Sequence, residues 1–119
     1  MNEVYEELVS AIISQTMEDY VISYKKIKKL EKKLDKMLTE PQEPIVQREG
    51  EKKSAYKCRK YRHTPNYIRR LIAEENENLE NCKKFLTGNW IKKISNIDGL
   101  TLLEECNRRL EEKGYKVDR

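Results

Sequence analysis

Glycine, proline, cysteine and histidine are all scarce in this chain. Its 119 residues include four glycines, three prolines, three cysteines and one histidine. So few glycines cannot supply a glycine-rich loop that cradles phosphates, and neither a P-loop nor a GxGxxG pattern occurs. The odd number of cysteines, without CxxC or Cys/His spacing, argues against a disulfide framework and against structural zinc. We therefore expect reduced thiols and neither a metal nor a cofactor.

Long apolar runs and a secretion signal are also missing. No apolar stretch approaches the roughly 20 residues that cross a membrane. The chain starts Met1-Asn2-Glu3, without the basic and apolar regions of a signal peptide. We expect a cytoplasmic protein with no membrane partner.

The composition argues against a large core. Hydrophobic residues make up 37% and charged residues 39% of the chain, against roughly 45–50% and 25% in ordinary globular proteins. Elongated helices that share a thin apolar seam fit these proportions. Because such a seam is long and its core small, we expect a homo-oligomer. The length predicts a single helical domain over residues 1–119.

Apolar residues recur every three or four positions from Asn2 to Leu38. This period is typical of a helix, and neither proline nor glycine interrupts it. Such a helix is longer than most in globular proteins. Two alternatives for this long helix therefore remain: a break near residues 14–19, or packing as a coiled coil.

Two prolines end this long helix. Pro41 and Pro44 cannot continue it, which predicts a loop over about residues 39–51. A basic segment, residues 52–73, follows. Its first part, residues 52–63, is either a helix or a segment that becomes ordered only on contact with a partner.

The next helix has clear end signals. Thr64 is a favourable cap and Pro65 a favourable first helical residue, so a helix is predicted from there to Thr87. We expect Gly88 to end it in the left-handed conformation. Asn89 is then the predicted cap of a short helix.

The last helix also has signals at both ends. Asp98 is its predicted cap, Gly114 its terminating glycine, and Tyr115 is expected to fold back over it. Its predicted apolar seam is Leu100, Leu103, Cys106 and Leu110. The predicted fold class is thus all-α: a small helical bundle with a long N-terminal helix and a C-terminal helical corner.

The most distinctive local feature is the interval between Glu51 and Glu74, which contains no acidic residue. Lysines, arginines and His63 interleave there with tyrosines. Cations neutralise phosphates and release counterions, while tyrosine faces stack on unpaired bases for ~1–3 kcal/mol each. The alternative is a solvated basic face balanced by nearby acids, with the tyrosines packed. The candidate binding residues are Tyr56, Lys57, Arg59, Lys60, Tyr61, Arg62, Tyr67, Arg69 and Arg70.

Nothing in the sequence points to catalysis. A Cys-His mechanism would need Cys58 and His63, the single histidine. We interpret both as surface or packing residues. Adjacent carboxylates on a helix point about 100° apart and do not face each other. We expect no catalytic residue and a protein that is not an enzyme.

A tryptophan-containing turn leads into the last helix, in the segment from Phe85 to Leu103, FLTGNWIKKISNIDGLTLL. This segment resembles the C-terminal part of a family of small uncharacterised helical accessory proteins from phages and prophages of Gram-positive bacteria. The N-terminal stretch from Ala11 to Gln15 is similar to that family too. The resemblance implies a phage-encoded accessory protein in the cytoplasm of a bacterial host, and it transfers no catalytic residue.

Four apolar side chains of this segment are predicted to lock the helical corner. Burial of each such side chain stabilises a fold by about 1.5–3 kcal/mol. For the tryptophan, the alternative is a hot spot for a partner. The four residues are Phe85, Trp90, Ile94 and Ile97.

Several functions remain compatible with these patterns. The leading hypothesis is a non-enzymatic accessory protein that inhibits a host defence complex, such as a CRISPR effector, by docking through the basic and tyrosine residues. One alternative is a regulator or replication accessory that binds nucleic acid directly. Another is sequestration of an anionic signalling nucleotide, and the last is a structural role with a merely solubilising basic face.

Overall fold

The structure is a computed structural model that describes residues 3–117, with side chains from residue 6 onward. Within that range the protein is all-α, as predicted, with five helices and no strand. The long N-terminal helix packs mainly against the third helix, also as predicted. The helices are α1 (Glu3–Thr39), α2 (Lys53–Arg62), α3 (Pro65–Thr87), α4 (Asn89–Ile94) and α5 (Gly99–Glu112).

Helix α1 is continuous over its 37 residues. The break considered near residues 14–19 does not occur. Because no proline or glycine interrupts the helix, the backbone hydrogen bonds continue through this stretch, where the Thr16 hydroxyl also donates to the Ile12 carbonyl at 2.9 Å. The helix is about 55 Å long, which accounts for most of the 62 Å length of the molecule.

Helices α3 and α5 pack beside α1 in opposite directions. Lys26 lies beside Glu75, at 3.8 Å between Nζ and Oε1, as α3 returns antiparallel along α1. The Cys106 thiol of α5 donates to the Met17 carbonyl at 3.8 Å. Farther along both segments, the Tyr24 hydroxyl donates to the Lys116 carbonyl at 2.6 Å, so α5 runs parallel to α1.

The core lies at the end of the molecule where α1, α3, α4 and α5 meet. Leu86, Ile91, Cys106 and Leu110 are fully buried there. The remaining core residues are Val9, Ile13, Met17, Tyr20, Val21 and Leu102. At the other end, α1 and α3 pair without α5, and the buried Ile27 and Ile68 lie outside this cluster.

Two of the three predicted N-terminal caps, Thr64 and Asp98, are confirmed. The Thr64 hydroxyl accepts from the Tyr67 amide at 3.3 Å, with Pro65 as the first residue of α3. The Asp98 carboxylate accepts from the Leu100 amide at 3.4 Å. Side-chain oxygens thus satisfy amides that have no partner inside the helix.

The C-terminal end of α5 has the predicted glycine geometry. Gly114 has φ +90°, a backbone conformation that favours glycine. The Tyr115 amide donates to the Leu110 carbonyl at 3.0 Å, and the Gly114 amide donates to the Glu111 carbonyl at 2.9 Å. This pair of bonds is the Schellman motif.

Two predictions about the α3–α4 junction are wrong. Gly88 is not left-handed but extended, at φ −76° and ψ 167°, and it both ends α3 and precedes α4. Asn89 is therefore the first residue of α4 and caps nothing with its side chain. A Cβ at Gly88 would stand 2.9 Å from the Lys84 carbonyl oxygen, so the close approach rather than φ favours glycine here.

The predicted seam of α5 needs one correction. Leu100 is 68% exposed, whereas Leu102 is buried with Cys106 and Leu110. These three residues are spaced four apart, and Leu100 lies about 200° around the helix from Leu102. Leu103 is partly buried against the core, as predicted.

The predicted lock of the corner is also partly wrong. Trp90 packs against Phe85, with ring centroids 5.1 Å apart, but remains 42% exposed, and Ile97 is 45% exposed. Ile91 is fully buried instead. Adjacent residues of a helix point about 100° apart, so Ile91 reaches the core while Trp90 faces solvent. Phe85 and Ile94 are partly buried against the core, as predicted.

Candidate functional site

Helix α2 carries most of the candidate residues and lies at the edge of the molecule. Of the two alternatives for residues 52–63, the structure shows the helix, over Lys53–Arg62. None of its residues is buried. The preceding loop, residues 40–52, covers one side of it. The Tyr56 hydroxyl donates to the Ile45 carbonyl at 3.0 Å, and Arg59 Nη2 donates to the Val46 carbonyl at 2.6 Å.

An ion pair with two hydrogen bonds fixes the same side of α2. Arg59 Nε lies 3.0 Å from Glu51 Oε2, and Nη2 lies 2.9 Å from Oε1. Oε1 also accepts from the Arg48 amide at 3.0 Å. The hydrogen bonds from Arg59, followed by that from Arg48, lower the pKa of Glu51 to about 2. Arg59 thus holds the loop on α2 and is not an open cation.

The tyrosines do not form a row of open stacking platforms. Tyr61 and Tyr67 pack edge to face on each other, with centroids 5.4 Å apart. Tyr56 is half-buried against the loop, so Tyr61 alone of the three is exposed. This arrangement favours the packing alternative for Tyr56 and Tyr67.

The two arginines of α3 have local partners. Arg69 Nη1 donates to the Asn66 amide oxygen at 3.2 Å and remains exposed. Arg70 Nε lies 3.3 Å from Glu74 Oε1. Hydrogen bonding to Tyr61 and then to Glu74 raises the pKa of Arg70. Arg70 is therefore partly neutralised.

Four cations of α2 remain open to solvent. Lys53, Lys57 and Lys60 recur at steps of four and three, so they lie on one side of the helix. Arg62 is exposed at the C-terminal end, where the helix dipole favours cations. Among residues 3–117, no carboxylate forms an ion pair with any of these four. We call the row of Lys53, Lys57 and Lys60 the open face of α2; Arg62 lies about 200° around the helix from Lys60 and is not part of it.

Cys58 and His63 are both exposed on α2 or just after it. His63 Nδ1 lies 2.8 Å from the Arg59 carbonyl oxygen. Since a carbonyl only accepts, Nδ1 carries the proton and donates, which holds the ring against its own helix.

The structure brings together a second basic site that sequence reasoning missed. A cleft of about 610 Å³ lies between the middle of α1 and the segment that follows α5. Its cations come from both segments, with Glu31 and Asp35 as the two acids. We call it the lysine cleft; its lining is Lys28, Lys29, Glu31, Lys32, Asp35, Lys113, Gly114, Tyr115 and Lys116.

The far wall of the lysine cleft is held in place by Tyr24. Its hydroxyl bonds to the Lys116 carbonyl, and its ring meets Tyr115 edge to face with centroids 6.3 Å apart. Lys28 Nζ lies 5.3 Å from the centre of the Tyr24 ring. The lysine run of α1 was the sequence signal for this site. Its counterpart after α5 is too distant along the chain to be connected with it by pattern alone.

Between residues 3 and 117, no three His, Cys, Asp or Glu side chains converge as ligands for a metal ion. In the same range, no helix combines the length and the apolar character that crossing a membrane requires.

Comparisons with known proteins do not place the chain in a family. No protein-family model matches it, and no curated protein or solved structure matches it either. The features that bear on function are therefore the two basic surfaces, the open face of α2 and the lysine cleft.

Proposed function

We propose that this protein acts by binding, and that the open face of α2 docks on the phosphate backbone of a nucleic acid. The observation that carries the proposal is a row of cations, Lys53, Lys57 and Lys60, on a helix without acidic residues. Lysines that neutralise phosphates release condensed counterions, which drives association. The nucleic acid is either free or held in a larger complex of the host.

The fixed position of α2 supports this proposal. The Arg59–Glu51 ion pair and the Tyr56–Ile45 hydrogen bond hold the back of the helix on the loop. Binding to a helix that is already ordered loses less conformational entropy than binding to a disordered segment. The cations can therefore meet phosphates without first folding the segment.

The packing of the tyrosines shapes the expected specificity. Backbone contacts position a protein on nucleic acid, whereas base contacts read its sequence. With Tyr56 and Tyr67 engaged inside the protein, few side chains are left to stack on bases. We expect binding with little sequence preference.

The resemblance to phage accessory proteins extends the proposal to a cellular role. In the cytoplasm of a bacterial host, a protein of this kind would inhibit a defence complex that holds nucleic acid, such as a CRISPR effector. It would do so by occupying the phosphates that the complex must contact. The physical event is the same as in direct binding, and the two differ in where the nucleic acid is held.

Fluorescence anisotropy with short labelled single- and double-stranded DNA tests the docking. We expect K53A/K57A/K60A to weaken binding at least about tenfold and to lower the salt slope for single strands by about 2, since each lost phosphate contact removes ~0.7. The matched control K84A/K92A/K93A removes the same charge from exposed lysines at the far end of α3 and on α4. Circular dichroism confirms that both variants stay helical.

Two results would count against the proposal. Equal weakening in the two triple variants would show that only net charge matters. A flat salt response of the wild type would remove phosphate binding altogether. A pull-down from host extract, with half of the sample treated with nuclease, then asks whether the partner is nucleic acid. If a protein partner is retained equally with and without nuclease, the partner of the open face of α2 is an acidic protein surface and not a nucleic acid.

Self-association also stays a prediction. Large apolar side chains that remain exposed support it, because an interface with a second copy would cover them. Light scattering coupled to size-exclusion chromatography measures the mass in solution, and a monomer at all concentrations would contradict the prediction. The side chains are Leu8, Trp90, Ile97 and Leu100.

A further inference from the structure

The lysine cleft concentrates positive charge from two distant parts of the chain. Five lysines line it, against the carboxylates of Glu31 and Asp35. Glu31 and Lys28 offset each other, since Glu31 Oε2 lies 3.6 Å from Lys28 Nζ. With five lysines and two carboxylates, the lining carries a formal net charge of +3. The volume of about 610 Å³ lies within the range of about 300–1,000 Å³ typical of small-molecule sites.

We propose that the lysine cleft binds a short polyphosphate chain, either free or as part of a nucleotide. Lys29 and Lys32 approach from α1, while Lys113 and Lys116 approach from the segment after α5. A small anion between them would be held from both sides. This site is separate from the open face of α2, and its occupant is a small molecule rather than a nucleic acid.

An unfavourable contact between two lysines beside the cleft also supports anion binding there. The Lys25 and Lys113 side chains lie close to each other, and this proximity lowers the pKa of the Lys113 ammonium group. A multiply charged anion placed between such cations would turn repulsion into attraction.

The backbone that presents these lysines is ordered before any ligand arrives. The Schellman motif fixes Gly114 at φ +90° and directs the chain back over α5. The Tyr24 hydroxyl then ties the Lys116 carbonyl to α1 at 2.6 Å. Preorganised cations lose little freedom on binding, which favours affinity.

Isothermal titration calorimetry tests the proposal, with tripolyphosphate and ATP as separate probes at physiological salt. We expect one equivalent to bind per chain. K29A/K113A should weaken binding about tenfold or more, equivalent to the loss of roughly 1.4 kcal/mol. The matched control K92A/K93A removes the same charge from exposed positions of α4 and should change affinity less than about threefold. Tighter binding of ATP than of tripolyphosphate would identify a nucleotide, and equal affinities the phosphate chain alone.

A second readout does not depend on substitutions. Binding should raise the pKa of Lys113 towards its ordinary value, observed by nuclear magnetic resonance of its side-chain nitrogen with and without tripolyphosphate. Y24F, which removes the hydrogen bond to Lys116, should weaken binding while leaving the helical content intact. No heat of binding with the wild type, or equal losses in K29A/K113A and K92A/K93A, would overturn the proposal.

Discussion

Arg59 and Glu51 form an ion pair with two hydrogen bonds, at 3.0 and 2.9 Å, that joins the loop to the back of α2. This ion pair engages Arg59, one of the arginines of the basic segment, inside the protein. The structure thus divides that segment into cations that hold the protein together and cations that face solvent. A binding experiment that replaces Arg59 would confuse these two roles, whereas replacement of Lys57 or Lys60 would not.

Removal of this ion pair should loosen α2 without unfolding the bundle. We expect R59A to speed hydrogen exchange of backbone amides over residues 45–62, because Glu51 and the Val46 carbonyl lose their partner. Amides of the core, such as those of Leu86 and Leu110, should exchange as in the wild type. R108A removes an exposed arginine paired along α5 and serves as the control. Unchanged exchange in R59A would contradict this structural role.

The same ion pair predicts a dependence on acid. The pKa of Glu51 is lowered from its ordinary 4.5 to about 2, so its contribution is complete above 4.5 and is lost as the pH falls towards 2. Amide chemical shifts of α2 in the folded wild type should therefore change with a midpoint near pH 2. In E51Q the loop contact should already be weak at neutral pH, and this transition should be absent. An identical transition in E51Q would assign it to another carboxylate.

Gly99 should not tolerate a side chain. A Cβ there would stand 2.3 Å from the Leu86 carbonyl oxygen and 2.8 Å from Thr87 Cα, both backbone atoms that cannot turn away. We expect G99A to destabilise the protein by about 3 kcal/mol, the upper part of the usual range for overpacking. L100A, at the exposed next position, should stay within about 0.5 kcal/mol. Urea denaturation measures both, and equal stabilities would show that α3 and α5 can move apart freely.

The corner depends on Ile91 rather than on Trp90. Ile91 is fully buried, so I91A should cost about 2–5 kcal/mol through lost burial and a cavity. W90A removes a half-exposed ring whose main contact is Phe85, and should cost about 1 kcal/mol. Thermal and urea unfolding of the two variants give the comparison. A larger loss in W90A would restore the tryptophan as the lock of the corner.

The three thiols should react in a fixed order. Cys58 is exposed, whereas burial raises the pKa of Cys82, and that of Cys106 to about 11. Since the thiolate is the reactive form, iodoacetamide near neutral pH should alkylate Cys58 first and Cys106 only on unfolding. Mass spectrometry of peptides over time follows this order, with C58S to isolate the slower sites. Early modification of Cys106 would show that α5 opens readily.

The helices and most of their ends were predictable because their signals are local. Thr64, Asp98 and Gly114 act on backbone groups within a few residues, and the structure confirms all three. The prediction for Gly88 was wrong because glycine is favoured both where φ is positive and where a Cβ would not fit. A glycine before a new helix can supply φ above zero or simply the absence of a Cβ, and the sequence does not distinguish them.

The faces of the helices and the sites were less predictable because they depend on three-dimensional packing. A period of three to four residues places Leu100 and Leu102 equally well beside other apolar residues, and contact with α1 and α3 selects Leu102. The sequence predicts the basic segment that contains the open face of α2. It does not predict that Arg59 and Tyr56 face the loop instead of solvent. The lysine cleft joins Lys29 to Lys113, a pair that no local pattern connects.

The loop over residues 40–52 connects α1 to α2, and α2 leads directly into α3, which packs along α1. Outside its contacts with Tyr56 and Arg59 the loop carries no core residue. A protease cut within it would therefore leave two pieces that stay associated through α1 and α3. Because such joints tolerate new chain ends, the protein could be supplied as two separately made fragments that reassemble, with the open face of α2 on one fragment and most of the lysine run on the other.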